Sequence, residues 1–94
     1  MSTLSTLEKI SQKYSDSAEE FIRAGVIMNL KEKQRLLQME RFEILSRYQA
    51  ASVDELNLKI TEGKAPEHPG WEDLIEVKNI EAEIKEIGND IRIL

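Results

Sequence analysis

The sequence holds a single histidine, His68, in the run Glu67-His68-Pro69, with Glu72 and Asp73 a few residues on. An imidazole flanked by carboxylates could ligate a divalent metal. Such a site normally draws on a second histidine one helical turn away or on cysteines, and the sequence has no cysteine. The plainer reading is a polar linker residue near a helix start, and no metal or other cofactor is expected. Paired carboxylates recur at Glu40-x-x-Glu43, Asp73-x-x-Glu76 and Glu83-x-x-Glu86. Facing pairs of this kind on helices can hold Mg²⁺ for phosphate chemistry. Here they fall at the edges of the apolar stripes, so solvated helix faces account for them. The four glycines, 25, 63, 70 and 88, are isolated, which leaves no phosphate-cradling loop, and no nucleophile–base set has a supporting spacing. The expectation is a protein that is not an enzyme.

Trp71 stands apart. It is the only tryptophan, it follows Pro69-Gly70, and Glu72, Asp73 and Glu76 come directly after it. It could be a core plug sealing a short helix against a long one, or an interface anchor, since Trp is enriched among binding hot spots. Charge is unevenly spread: residues 1–50 carry eight basic and seven acidic side chains, residues 51–94 five and eleven. An acidic second half repels phosphates and favours a basic partner surface. Lys31, Lys33, Arg35, Arg41 and Arg47 are interleaved with Glu32, Glu40 and Glu43, too mixed a surface for nucleic acid. No direct nucleic-acid binding is expected.

These residues must be positioned by helices. Ninety-four residues make at most one domain, and the 40% hydrophobic and 33% charged content is that of a folded chain rather than a disordered one. Two prolines, four glycines and five aromatics favour helix over sheet. The longest apolar run, Ala24-Gly25-Val26-Ile27-Met28, is far shorter than the ~20 residues a membrane span needs. With no basic, apolar leader pattern at Met1-Ser2-Thr3-Leu4-Ser5, a cytoplasmic location is the expectation.

Periodicity divides the chain into a long helix over 1–49, a short helix over 52–62, a Pro/Gly linker over 63–70 and an acidic amphipathic helix over 70–94. Leu7, Tyr14, Phe21 and Met28 recur every seven residues, as one face of a helix would. Ser5 with Glu8 and Ser17 with Glu20 both read as capping boxes, so the first helix is either continuous or broken near 15–17. Past Met28 the stripe moves to Leu30, Leu37 and Ile44, broadened by Leu36, Met39, Phe42, Leu45 and Tyr48, an arc wide enough for two neighbours. Ser52-Val53-Asp54-Glu55 is a third capping box, and Gly63 suits the left-handed position after a helix end. Pro69 is suited to the first helical position. Val77, Ile80, Ile84, Ile87, Ile91 and Leu94 step by three and four, a heptad seam that could serve the core or an oligomer together with Leu37 and Ile44. Gly88-Asn89-Asp90 could end that helix and free Ile91-Arg92-Ile93-Leu94 as an extended tail, though the register carries on across the glycine. A helix from Ser17 to Tyr48 would be about 48 Å long and would overhang a globule whose radius of gyration is about 12 Å. The expected fold is all-α, a helical hairpin or bundle completed by another chain, either a protein partner or a second copy.

The stretch from Leu45 to Leu74 carries a long charged helix ending in Leu45-Ser46-Arg47-Tyr48, the capped Ser52-Val53-Asp54-Glu55-Leu56, an Ile60-x-Glu62-Gly63-Lys64 exit and Trp71-Glu72-Asp73-Leu74. In this it resembles the small helical antitoxin proteins of prokaryotic toxin–antitoxin pairs. It differs from their pattern at Gln49-Ala50-Ala51, where a Gly-hydrophobic pair would be usual, and at Leu56 in place of Phe. The resemblance implies a chain that binds a toxin, often a ribonuclease, and blocks it. Glu72, Asp73 and Glu76 would then mimic phosphates in a basic cleft, with Trp71 as the apolar anchor.

Overall fold

A computed structural model describes residues 2–15 and 17–94. Among these the chain forms four helices and no strand: α1 (Thr3–Tyr14), α2 (Ala18–Ser46), α3 (Val53–Thr61) and α4 (Glu67–Arg92). The fold is all-α. The N-terminal half is two helices rather than one. Ser15 and Ser17 are both extended, and the Ser17 hydroxyl accepts the Glu20 amide at 3.1 Å, as a capping residue should. Asp16, inside this joint, lies outside the described residues. The seven-residue stripe from Leu7 to Met28 is therefore not one helix face. Tyr14 and Phe21 meet across the turn instead, with ring centroids 6.0 Å apart. Nor does α1 begin at Ser5: Ser2 comes first and its hydroxyl takes the Ser5 amide at 3.2 Å.

The other helix ends follow local chemistry. Ser52 caps α3 by accepting the Glu55 amide at 3.1 Å, while the Glu55 carboxylate reaches back to the Ala51 amide at 2.7 Å. After α3, Gly63 adopts φ +76, its amide bonds to the Ile60 carbonyl, and the Lys64 amide bonds to the Lys59 carbonyl at 2.7 Å. That pair of bonds is a Schellman stop. The end of α2 has the same two bonds, Gln49 to Ser46 and Ala50 to Leu45, with Gln49 at φ +53 in the left-handed position. Pro69 is not the first helical residue. Its ring forces His68 into extended backbone (φ −114, ψ 123), and Pro69 itself is non-helical (ψ 17), so α4 is kinked after its first residue.

α4 runs back along α2. Arg41 Nε donates to Glu81 Oε2 at 2.7 Å and Gln34 Nε2 to the Ile84 carbonyl at 3.2 Å. A Cβ at Gly88 would lie 3.3 Å from that same Gln34 nitrogen, so the glycine leaves room for this crossing. Helix continues through Gly88 to Arg92, and no extended tail forms. The seam expected for the core or an oligomer is satisfied within the chain: Ile44, Val77, Ile80 and Ile87 are buried, Leu37, Ile84 and Ile91 half-buried.

The core sits at one end. Ile44, Leu45, Leu56, Ile60, Ala65, Leu74, Val77 and Ile80 form one buried cluster where α2, α3 and α4 meet. The rest of α2 extends beyond it, since 29 residues span about 44 Å. The molecule measures 61 × 23 × 16 Å with a radius of gyration of 19.6 Å, against about 12 Å for a compact chain of this length. Towards the far end the contacts of α2 are made by α1 and the tip of α4, and Leu4, Leu7, Phe21, Ile22 and Val26 stay 38–60% exposed there.

Two stability predictions follow from this layout. Leu56 is fully buried and Leu58, on the same short helix, is 56% exposed. Leu56→Ala should cost about 3 kcal/mol in denaturant unfolding, and Leu58→Ala should stay within about 0.5 kcal/mol. Equal losses would contradict the assignment of the core. Gln49→Gly relieves a left-handed conformation that L side chains adopt at a cost of about 1 kcal/mol, so it should raise the melting temperature; a lower one would refute that strain.

Candidate functional site

The residues expected to bind a partner divide at the start of α4. Trp71 is half-buried and packs against the core cluster, so it is the plug between helices that the sequence allowed. Asp73 is buried and cannot act as a phosphate mimic. Its carboxylate accepts the Tyr48 hydroxyl and lies 3.8 Å from an Arg47 guanidinium nitrogen. A buried carboxylate must be paired, and here the end of α2 supplies both partners. Glu72 and Glu76 are exposed. Glu72 accepts from His68 Nδ1 at 2.7 Å. Its own backbone amide, and secondarily His68, hold its carboxyl below the usual range.

Glu72 and Glu76 belong to a longer feature. Glu83, Glu86 and Asp90 are also exposed on α4. At 100° per residue all five carboxylates fall within about 40° of one line along the helix. Lys78, Lys85 and Arg92 project on another side, so the stripe is uninterrupted by positive charge. Its spacing was readable, because the heptad that buries Val77 and Ile84 forces Glu83 and Glu86 outwards. The Glu40–Glu43 pair is exposed as well. Among the described residues no group of three or more His, Cys, Asp or Glu side chains converges as a metal site. Among the same residues no helix is long and apolar enough to cross a membrane.

The corner between α2 and α3 anchors this surface. Lys59 donates to the Tyr48 and Gln49 carbonyls, both at 2.9 Å, neutralising the negative end of α2. Tyr48 in turn fixes Asp73 and hence the first turn that presents Glu72. None of these pairs is signalled by spacing, since Tyr48 and Asp73 lie twenty-five residues apart. Gly70 lets α4 approach α3 closely: a Cβ there would be 3.1 Å from the buried Ile60 side chain.

Burial first, and then the hydrogen bond to Asp73, push the Tyr48 phenol up to about 12 from its ordinary 10. The folded chain holds this proton where the unfolded chain has released it. The stabilisation is therefore complete below pH about 10 and is lost as pH rises through about 12. Thermal unfolding followed by circular dichroism should show stability falling more steeply over that window in the wild type than in Tyr48→Phe. Parallel pH profiles would contradict a proton held by the fold.

No curated protein and no solved structure matches the chain. A family model described as "Uncharacterized protein MJ0235 family" matches residues 1–94, and the chain belongs to that family.

Proposed function

We propose that this chain is a non-catalytic protein–protein interaction protein, antitoxin-like in action, that neutralises a basic toxin through the acidic face of α4. The observation that carries the reading is the stripe Glu72, Glu76, Glu83, Glu86 and Asp90, exposed along one line of a helix whose adjoining side is locked into the core. A ribonuclease is the toxin class that fits, because its cleft is basic in order to attract phosphate, and a row of carboxylates on a rigid helix can occupy such a cleft. Ile75, 59% exposed beside the stripe, adds apolar contact. Trp71 supports the helix from behind rather than meeting the partner head-on. The resemblance over Leu45–Leu74 supports the same reading.

A second reading, a helical adaptor or structural oligomerisation protein without a toxin, draws support from the 61 Å length and the large apolar side chains left exposed on α1 and α2. The two differ in what the acidic stripe does. The test is co-expression with the product of an adjacent basic reading frame. The antitoxin reading expects that product to arrest growth, this chain to relieve the arrest, and Glu72→Lys with Glu76→Lys to abolish relief while helicity is unchanged. A neighbour that causes no arrest, or relief that survives both charge reversals, would refute it.

A further inference from the structure

The face of α2 directly opposite α4 is covered by α1 near Phe21, where Tyr14 stacks on it, and is open further along, from Leu36 to Phe42. α4 takes up the side bearing Gln34, Leu37, Arg41 and Ile44. The other side shows Leu36, Met39 and Phe42, which are 52, 55 and 72% exposed, with Met28 (72%) further along the same line. Arg35 stands at one end of the Leu36–Phe42 patch and Glu43 at the other, both exposed.

We propose that this face is the interface of an antiparallel homodimer, with the two-fold axis passing through Met39. The charge pattern selects this occupant. A two-fold at Met39 sets Arg35 of each copy against Glu43 of the other, Leu36 against Phe42, and Met39 against itself on the axis; both off-axis pairs occur twice, as a closed isologous contact requires. A parallel pairing would set Arg35 beside Arg35 and Glu43 beside Glu43, which like-charge repulsion disfavours. Glu43 has a distant contact to Arg47, at 3.9 Å. Arg35 is bonded to both oxygens of Glu32, at 2.8 and 2.6 Å, in an exposed pair of the kind that contributes little, and its third guanidinium nitrogen lies over the patch, 3.0 Å from the Met39 sulfur. The apolar centre of the contact is Leu36, Met39 and Phe42 of each copy, and Met28, eleven residues from the axis, lies outside it. The acidic stripe of α4 lies away from this face, so a dimer presents two such stripes. The proposal deepens the interaction reading above by naming one partner, and rests on it to that extent.

Sedimentation equilibrium across micromolar concentrations should give a dimer. Arg35→Glu and Glu43→Arg should each weaken it at least about tenfold, and the double variant Arg35→Glu/Glu43→Arg should restore it, as should mixing the two single variants. Because the chain has no cysteine, Met39→Cys provides a geometric probe: mild oxidation should link the two copies through that residue, and Asn79→Cys on α4 should not link. A monomer at every concentration would overturn the proposal, as would weakening that the double charge swap fails to rescue, or cross-linking no faster at Met39 than at Asn79. A monomeric chain that still relieves toxin arrest overturns the dimer and leaves the interaction reading intact. A rescued dimer with no relief by any variant does the reverse.

Discussion

The carbonyls of Tyr48 and Gln49 share the ammonium of Lys59, and that contact holds the reversal on which the rest of the fold depends. At this point α2 must stop, the chain must turn, and α3 must start close enough to pack. The left-handed Gln49 stops α2 with two backbone bonds, Ser52 starts α3, and Lys59 ties the new helix to the end of the old one. Tyr48 then reaches across to Asp73 and aligns α4. The bond from Tyr48 satisfies the Asp73 carboxylate, which burial would otherwise penalise. Together these contacts bring Leu45, Leu56, Leu74 and Val77 into one cluster.

Placing the buried cluster at this corner has a consequence for the whole molecule. A small chain buries a limited fraction of its surface, and here most of that burial is spent at one end of a helix about 44 Å long. The far half of α2 receives α1 on one side and the tip of α4 on another, and keeps an apolar outer face. The acidic stripe on α4 has the same origin. A helix that buries Val77, Ile80 and Ile87 against α2 must turn its remaining sides to solvent, and on one of them every charged residue is acidic.

Local signals in the sequence carried over to the structure where the chemistry was local. Ser17, Ser52 and Gly63 act at the helix ends where their types and spacing place them, and the heptad from Val77 to Ile91 is the buried side of α4. Readings failed where a distant group decides. The stripe Leu7–Tyr14–Phe21–Met28 looks continuous because a hairpin that stacks Tyr14 on Phe21 has the same seven-residue repeat as a straight helix. Asp73 has the position of an acid favouring a helix dipole, and only Tyr48, remote in sequence, shows that it is a buried structural partner. Pro69 is suited to a helix start, yet its effect on His68 comes first and bends the backbone there. Among the expected partner residues, Glu72 and Glu76 stand on the surface, Trp71 lies largely behind it and Asp73 inside it.

Amide hydrogen exchange resolved by residue, at a concentration low enough to keep the chain monomeric, tests the account most directly. A core confined to the corner predicts that the slowest amides lie in the second half of α2, in α3 and in the first half of α4, and that those of α1 and of α2 from Phe21 to Asn29 exchange orders of magnitude faster. Uniform protection along the whole of α2 would contradict it, because the overhanging half would then be held by the same cooperative core as the corner.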